Sequence, residues 1–426
     1  MVDMPHPFIV LIGKAVRKVS RLRGGGSALP GLFVEKIDPD FIKKTLAQLS
    51  KGVVVISGTN GKTTTTKMVV SLLEAHGLRV FTNRTGSNFT RGVAAALLKD
   101  VDMKGTLAAD VAVLELDEAH AVKFVEAIPP QYSLILNVMR DQLDRFGEID
   151  STAALLATVA AATSEAVVLN REDPRIRRIA TLLQNQAVSY FGLGDELLHH
   201  FPSDDDLRAQ AVKTTKRPPA AVVLSDYHNQ KATLTIDGKP YTTNLKLNGI
   251  YNVFNAAAAV ALTKAVTGDD FNADTTIAAL ADVTPAFGRG ELLTVGGQPL
   301  ELVLVKNPSG FRLGLQSFSP EGWATMIAIN DNYADGRDMS WLWDVEFDSL
   351  ASGSVSQVSG IRCYDMALRL QYDEVAIGHI EPELSLALRH FIDTHPDTPK
   401  RIYCTYTAML SIRKELAKIT DVEVIA

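Results

Sequence analysis

From residue 53 onward two rhythms alternate along the chain, short β-branched apolar runs and longer stretches with apolar residues at helical spacing. Val53-Val54-Val55-Ile56 reads as a buried strand. Thr65 to His76 then places Met68, Val69, Leu72 and Leu73 on one helical face and is closed by Gly77. The same reading predicts strands at Arg79–Thr82, Val111–Leu116, Ser133–Val138, Val167–Asn170 and Val188–Phe191. Helices are expected at Gly92–Leu98, Ala119–Glu126 and, rich in alanine, at Ala153–Ala162. Strands separated by helices predict an α/β fold with a mostly parallel, doubly wound sheet that takes ligands at the carboxyl ends of its strands. A second α/β set follows, with strands at Leu300–Val305, Ala324–Ile329 and Ile402–Thr405 and helices at about 382–393 and 407–418. The expected organisation is an N-terminal helical segment (1–48), a central domain (49–295, with an insert at about 192–245) and a C-terminal α/β domain (296–426) that begins after Gly296-Gly297.

The N-terminal apolar run Phe8–Ile12 is far too short to span a bilayer, and the basic residues Lys14, Arg17, Lys18, Arg21 and Arg23 follow it rather than precede it. No secretory signal is expected. A helix with a basic face, ended by Gly24-Gly25-Gly26, fits better; docking on its own protein is favoured over contact with anionic lipid. The 426 residues suffice for two or three domains, and 46% hydrophobic with 22% charged residues is ordinary for a globular protein. A net charge of −6 argues against nucleic acid as a partner. Cys363 and Cys404 are the only cysteines, which excludes a disulfide scaffold and a cysteine-built zinc site and fits a reducing cytoplasm.

The chemistry concentrates at Gly58-Thr59-Asn60-Gly61-Lys62-Thr63-Thr64, between the first strand and its helix. Glycines let the main chain approach an anion, and the helix N-terminus points N–H groups at it. Lys62 can reach terminal phosphates, and the Thr63 hydroxyl can ligate magnesium. Ile56 stands where the longer form of this motif has glycine, so the loop is the shorter G-T-N-G-K-T form. ATP is the expected ligand. Other strands also end in polar residues: Leu114-Glu115-Leu116-Asp117-Glu118, Asn137 through Gly147, and Asn170-Arg171-Glu172-Asp173. A metal beside the triphosphate would need such oxygen donors.

This ordered set resembles the Mur ligase family, which joins a carboxylate to an amine using ATP. The resemblance rests on G-T-N-G-K-T-T, the strand-end Glu115, N-x-x-x-D-Q-L-D at 137–144, N-R-E-D at 170–173, N-x-x-N at 252–255 and G-R-G-E at 288–291. It implies a Mur-ligase-like central domain with Lys62 on the phosphates and Thr63 and Glu115 on magnesium. Asn255 would face the adenine, Arg289 the phosphates or ribose, and Asp173 the nucleoside. The stretch 330–344, with Asp331, Asp335, Asp338, Asp344, Arg337 and two tryptophans, resembles one branch of that family, as does Arg140 to Glu148 with Gln142 in place of the usual His.

That branch amidates the D-glutamate α-carboxyl of the lipid II stem peptide, and its ligase subunit works with a GatD-like glutaminase, as a heterodimer or larger assembly at the inner face of the cytoplasmic membrane. It implies that Asp338 reaches into the glutaminase and orients its catalytic histidine, with Trp341 and Trp343 anchoring the loop. Three departures from the wider family stand out. No lysine occurs at 149–169 to form the carbamate many members carry. The common D-Y-A-H-N-P start of the C-terminal domain is Val303-Leu304-Val305-Lys306-Asn307-Pro308. No zinc is expected, because the insert lacks the four-cysteine ribbon of some branch members. Two other readings stay open at this stage: a free-standing Mur- or folylpolyglutamate-type amino-acid ligase, and a non-catalytic ATP-binding scaffold for a glutaminase.

Overall fold

A computed structural model describes residues 7–22, 29–83, 90–139, 149–200, 217–228, 230–246, 249–284 and 289–422. The stretch Arg140 to Glu148, singled out in the sequence, lies outside them, as does the acidic run Ser203-Asp204-Asp205-Asp206, which reads from sequence as a solvated loop. Three helices come first among the described residues, α1 (Pro7–Leu22), α2 (Leu29–Ile37) and α3 (Phe41–Leu46). Then come β1 (Val53–Ser57), α4 (Lys62–Ala75), β2 (Val80–Thr82), α5 (Thr90–Asp100), β3 (Val111–Glu115), α6 (Glu118–Ala127) and β4 (Tyr132–Ile135). The central domain continues with α7 (Ile149–Ala161), β5 (Ala166–Asn170), α8 (Pro174–Ile179), β6 (Ala187–Leu193), β7 (Val222–His228), β8 (Lys231–Ile236), β9 (Lys239–Asn244), α9 (Ile250–Thr267) and α10 (Ala273–Asp282).

The nine strands form one sheet in the order β2-β3-β1-β4-β5-β6-β7-β8-β9, parallel from β2 through β7. β1 and β3 are apolar and buried on both faces, as a parallel strand between helical layers must be. One layer holds α4 and α9, the other α1, α2 and α5 to α8. Alanines 256–259 and 261 are buried along α9, and their small side chains let this helix lie close to both the sheet and α4. The basic N-terminal helix is docked: Val10 is buried, and a Cβ at Gly13 would meet Leu98 at 2.7 Å and Val34 at 2.8 Å.

The antiparallel β7-β8-β9 meander has no counterpart in the sequence expectation for 192–245. Its signal was present, since Asp237-Gly238, both at positive φ, form the two-residue hairpin turn that such a dipeptide favours.

The C-terminal domain contains β10 (Arg289–Val295), β11 (Gln298–Leu304), α11 (Pro308–Ser317), β12 (Ala324–Ala328), β13 (Val355–Ser359), α12 (Cys363–Tyr372), β14 (Ile377–Glu381), α13 (Leu384–Thr394), β15 (Lys400–Cys404) and α14 (Tyr406–Leu416). Its sheet runs β10-β11-β15-β12-β13-β14, with only β10 antiparallel. The boundary expected at 296 falls inside a hairpin. Gly296-Gly297, both at positive φ, turn β10 back onto β11, so the second sheet starts at Arg289. Gly-Gly marks a turn there, not a linker. Among the described residues, no helix is long and apolar enough to cross a membrane.

The two tryptophans of 330–344 separate. Trp341 is buried against Phe311, in an edge-on contact with ring centres 6.4 Å apart, and belongs to the domain core. The expectation that it anchors a partner is therefore corrected. Trp343 is half exposed and lies edge-on to Tyr372 at 5.1 Å. Trp341→Ala is expected to lower unfolding stability by about 3–5 kcal/mol, and Trp343→Ala by less than about 1.5 kcal/mol, in denaturant titrations. Equal losses would contradict this placement.

Candidate active site

The register of the central strands sets the site. Ile56 pairs with Glu115 and Ser57 with Ile135, so β1, β3 and β4 end together at one edge of the sheet. The chain leaving β1 turns through Gly58 (φ 135°) and Gly61 (φ 88°) before α4 begins at Lys62. Both conformations favour glycine. A Cβ at Gly61 would also lie 2.6 Å from the Asn255 amide oxygen. The turn thus packs directly on α9, which is why Asn255 stands beside it.

Lys62 is buried, and its Nζ donates to the Gly58 carbonyl at 2.6 Å while lying 3.3 Å from Asp117 and 3.7 Å from Glu118. The Thr63 hydroxyl donates to Glu115 Oε1 at 2.8 Å. Residues 52 positions apart are therefore brought into contact. A hydroxyl and a carboxylate at the mouth of a helix N-terminus are the hard oxygen donors that a divalent cation beside phosphates takes, so the donor set fits magnesium.

The turn is braced from outside. Asn137 Oδ1 accepts from Asn60 N at 2.8 Å, Asn137 Nδ2 donates to Asn60 O at 3.0 Å, and the Asn137 carbonyl accepts from Thr59 N at 3.0 Å. Asn83, which sequence reasoning missed, makes the same two-way bond with the Glu115 backbone at 2.8 and 3.0 Å. It fixes the height of that carboxylate. Nothing local in the sequence around Asn83 marks it.

In the N-R-E-D motif, Asp173 caps α8, with Oδ1 accepting from Arg175 N and Ile176 N and Oδ2 from Val138 N at 2.8 Å. Burial pushes its carboxyl pKa up, against the pull of these N–H donors. Both oxygens are engaged, Oδ1 at the start of α8 and Oδ2 on the chain after β4, yet Asp173 also lines the cavity, so its expected nucleoside contact would be through an edge already in use. Asn255 lines the same cavity, with Asn60, Gly61, Thr64 and Lys306. Arg289 starts β10, and its side chain is outside the description.

The cavity lies between the two sheets' domains, and comparison with known proteins agrees with that two-part construction. The family model for the Mur ligase middle domain matches residues 56–263, and the MurT ligase C-terminal model matches 304–409. Lipid II isoglutaminyl synthase (glutamine-hydrolyzing) subunit MurT of Streptococcus pneumoniae is 31% identical over 444 aligned positions, covering 96% of each chain. The chain belongs to the MurT family of Mur ligases. The subunit of the same name from Staphylococcus aureus is 28% identical, covering 86% of this chain and 87% of its own. MurF from Acinetobacter baumannii superposes with a TM-score of 0.69 at 18% identity, covering 91% of this chain and 80% of its own. MurF ligase of Thermotoga maritima in complex with ADP gives 0.66 at 16%, covering 89% and 84%. At that identity these two show the fold alone.

Within this MurT-type C-terminal domain, the loop after β12 is tightly held. Asp335 is buried and accepts from Thr407 N at 2.7 Å, Thr407 Oγ1 at 2.5 Å and Asn332 N at 3.0 Å. Asp331 pairs with Arg362 at 2.7 Å. On that frame Asp338 is exposed, its Oδ1 accepting from Ser340 N at 2.9 Å, and these Ser340 bonds hold its pKa below the usual carboxylate value.

Gly61→Ala is expected to weaken ATP binding by at least about tenfold, because the added methyl must displace Asn255 from its place and the φ is unfavourable. Calorimetric titration of the folded variant checks this, and unchanged affinity would remove the close-approach argument.

Proposed function

We propose that the chain is the ligase subunit of a glutamine-hydrolysing lipid II isoglutaminyl synthase, converting the D-glutamate α-carboxyl of the stem peptide to the amide of D-isoglutamine. The observation that carries this reading is a complete Lys62–Thr63–Glu115 constellation in a chain whose match to the MurT subunit runs through its C-terminal domain. ATP is the energy source and ammonia from a glutaminase partner is the nitrogen donor.

The chemistry follows from the electrophile. Ammonia attacking a carboxylate would have to expel an oxide. Transfer of the γ-phosphoryl group to the carboxylate gives an acyl phosphate, and attack by ammonia then expels phosphate. Lys62, at the mouth of α4, is placed to offset the charge that develops on the transferring group. Thr63 and Glu115 would hold magnesium, which supplies further charge neutralisation between phosphates when bound. Asn255, buried against Gly61, suits the base-binding end of the cavity, and Arg289 would approach from the C-terminal sheet.

A patch of exposed apolar side chains supports a partner. Tyr364, Leu368 and Tyr372 stand at helical spacing on α12, with Trp343 and Ile361 beside them. Such a patch on one face of a domain is more than scattered surface hydrophobics, and it adjoins the loop that carries Asp338. The reading places the glutaminase there, with the Asp338 carboxylate orienting its catalytic histidine. A Cys–His pair needs a third group to fix the imidazole and stabilise its cation. An amino-acid-adding ligase is disfavoured by replacement of D-Y-A-H-N-P, and a non-catalytic scaffold by the intact phosphate turn.

Lys62→Ala should fold normally yet lose about 10³-fold or more of amidation rate, since a phosphate contact made in a buried site is removed. Full amidation by that variant would sink the ATP-ligase reading. Asp338→Asn should suppress glutamine-dependent amidation while sparing amidation driven by free ammonium and co-elution with the glutaminase. Glutamine hydrolysis at the unmodified rate in that complex would end the shared-triad idea and leave 330–344 as a docking loop.

A further inference from the structure

The N-terminal helix is docked along one side only. Val10 and Gly13 of α1 are buried, Gly13 against Val34 of α2 and Leu98 of α5, and Lys14 Nζ donates to the Val101 carbonyl at 2.5 Å. Leu11, between the two buried positions, is 50% exposed, and Ala15, one turn further on, is exposed as well. In sequence the spacing of Leu11 and Ala15 continues at Val19 and Leu22. The second helix repeats the arrangement. Val34 is buried, while Phe33 and Ile37, four positions apart and so on one face, are 40% and 45% exposed. A helix pair held only by core packing would bury such residues and turn polar ones outward.

Charge narrows what can cover this face. Residues 7–46 contain eight basic residues against three acidic ones, in a chain whose net charge is −6. Within α1 stand Lys14, Arg17, Lys18 and Arg21 and no carboxylate. Two of the three acids are engaged inside the protein, Glu35 at 3.6 Å from Arg91 and Asp38 at 3.2 Å from Lys44. Apolar side chains set among a basic excess match a bilayer that contains anionic lipid, where the first enter the interface and the second meet phosphates. A second copy of the chain would bring two basic segments face to face and is disfavoured by their repulsion.

The face is also tied to the ligand-bearing edge of the central sheet. A Cβ at Gly31 would run into the Arg91 carbonyl, so the first turn of α2 lies on the first turn of α5. That helix follows β2 and Asn83, whose side chain holds the Glu115 backbone.

We propose that the outward face of α1 and α2 is a docking surface for a bilayer containing anionic phospholipid. The proposal goes beyond the ligase reading and is tested apart from it. Where that reading holds, the lipid anchor of the substrate stays in the bilayer while this surface keeps the phosphate turn close to the membrane plane.

The test is flotation of the full chain with vesicles of phosphatidylcholine alone and of equal parts phosphatidylcholine and phosphatidylglycerol. The unmodified chain should float with the mixed vesicles, less so as salt rises, and remain unbound to phosphatidylcholine alone. Leu11→Glu with Phe33→Glu, and separately Lys18→Glu with Arg21→Glu, should lower partitioning to mixed vesicles by at least about tenfold. Thermal unfolding and magnesium-ATP affinity should not change; should the first double variant not fold, the second makes the same discrimination. Ammonium-driven amidation of lipid II in mixed vesicles should fall with binding, while a short-chain, water-soluble lipid II analogue is amidated at the unmodified rate. Failure of the unmodified chain to float, or flotation of both double variants at the unmodified level, would overturn the proposal. A smaller assembly for Leu11→Glu with Phe33→Glu in sedimentation velocity, with flotation unchanged, would overturn it too and give the face to a second copy of this chain. Salt-sensitive flotation by a chain that amidates neither substrate would uphold the docking surface and end the ligase reading.

Discussion

A turn that binds phosphate has to be rigid while keeping N–H groups available for the anion. Its rigidity must therefore come from elsewhere. In this chain Asn60 is the point where that constraint is met. Its main chain is held on both sides by Asn137 from the end of β4, and its side chain meets Asn307 from the C-terminal domain. The helix that follows contributes the N–H groups of its first turn, which have no intrahelical acceptor. Remove the outer braces and the turn would have to stabilise itself with the groups it needs for the ligand.

The rest of the molecule can be understood as the apparatus that brings these braces together. The parallel register of β1, β3 and β4 delivers Glu115 and Asn137 to the same edge. Asn83 then fixes the Glu115 backbone, and Asp173 fixes the chain beyond β4. Alanines along α9 allow close packing, which sets Asn255 against Gly61. The second sheet contributes the Lys306–Asn307 junction at one of its ends. β11, β15 and β12 run parallel and in register, so the loop after β12 that carries Asp338 leaves the same end of the sheet as that junction.

The parts of this arrangement written in contiguous residues were legible beforehand. A β-branched run, two glycines and an apolar-periodic helix announce the phosphate turn locally, and the carboxylate that ends β3 follows from strand-end logic. What was not legible depends on pairing across long separations. Asn60 and Asn307 are 247 positions apart, and no local pattern marks either as the other's partner. Asn83 looks like any polar residue after a short strand. Trp341 and Trp343 occupy similar sequence surroundings, yet the first packs on Phe311 in the core and only the second reaches the surface. The Gly296-Gly297 pair was read as a boundary because a turn inside a sheet and a linker between domains share the same composition. Fold class and the chemistry of the turn survive such errors; domain edges and interdomain contacts do not.

The central claim is that this site activates a carboxylate by phosphorylating it. The most direct measurement follows the oxygen. Lipid II carrying heavy oxygen in the D-glutamate α-carboxyl would be incubated with the purified chain, a glutaminase subunit, glutamine, magnesium and ATP, and the inorganic phosphate released would be analysed by mass spectrometry. An acyl-phosphate route predicts that each amidation event moves one labelled oxygen from the carboxyl into phosphate, with ADP formed in equal amount. Amide formation with unlabelled phosphate, or with AMP in place of ADP, would contradict it.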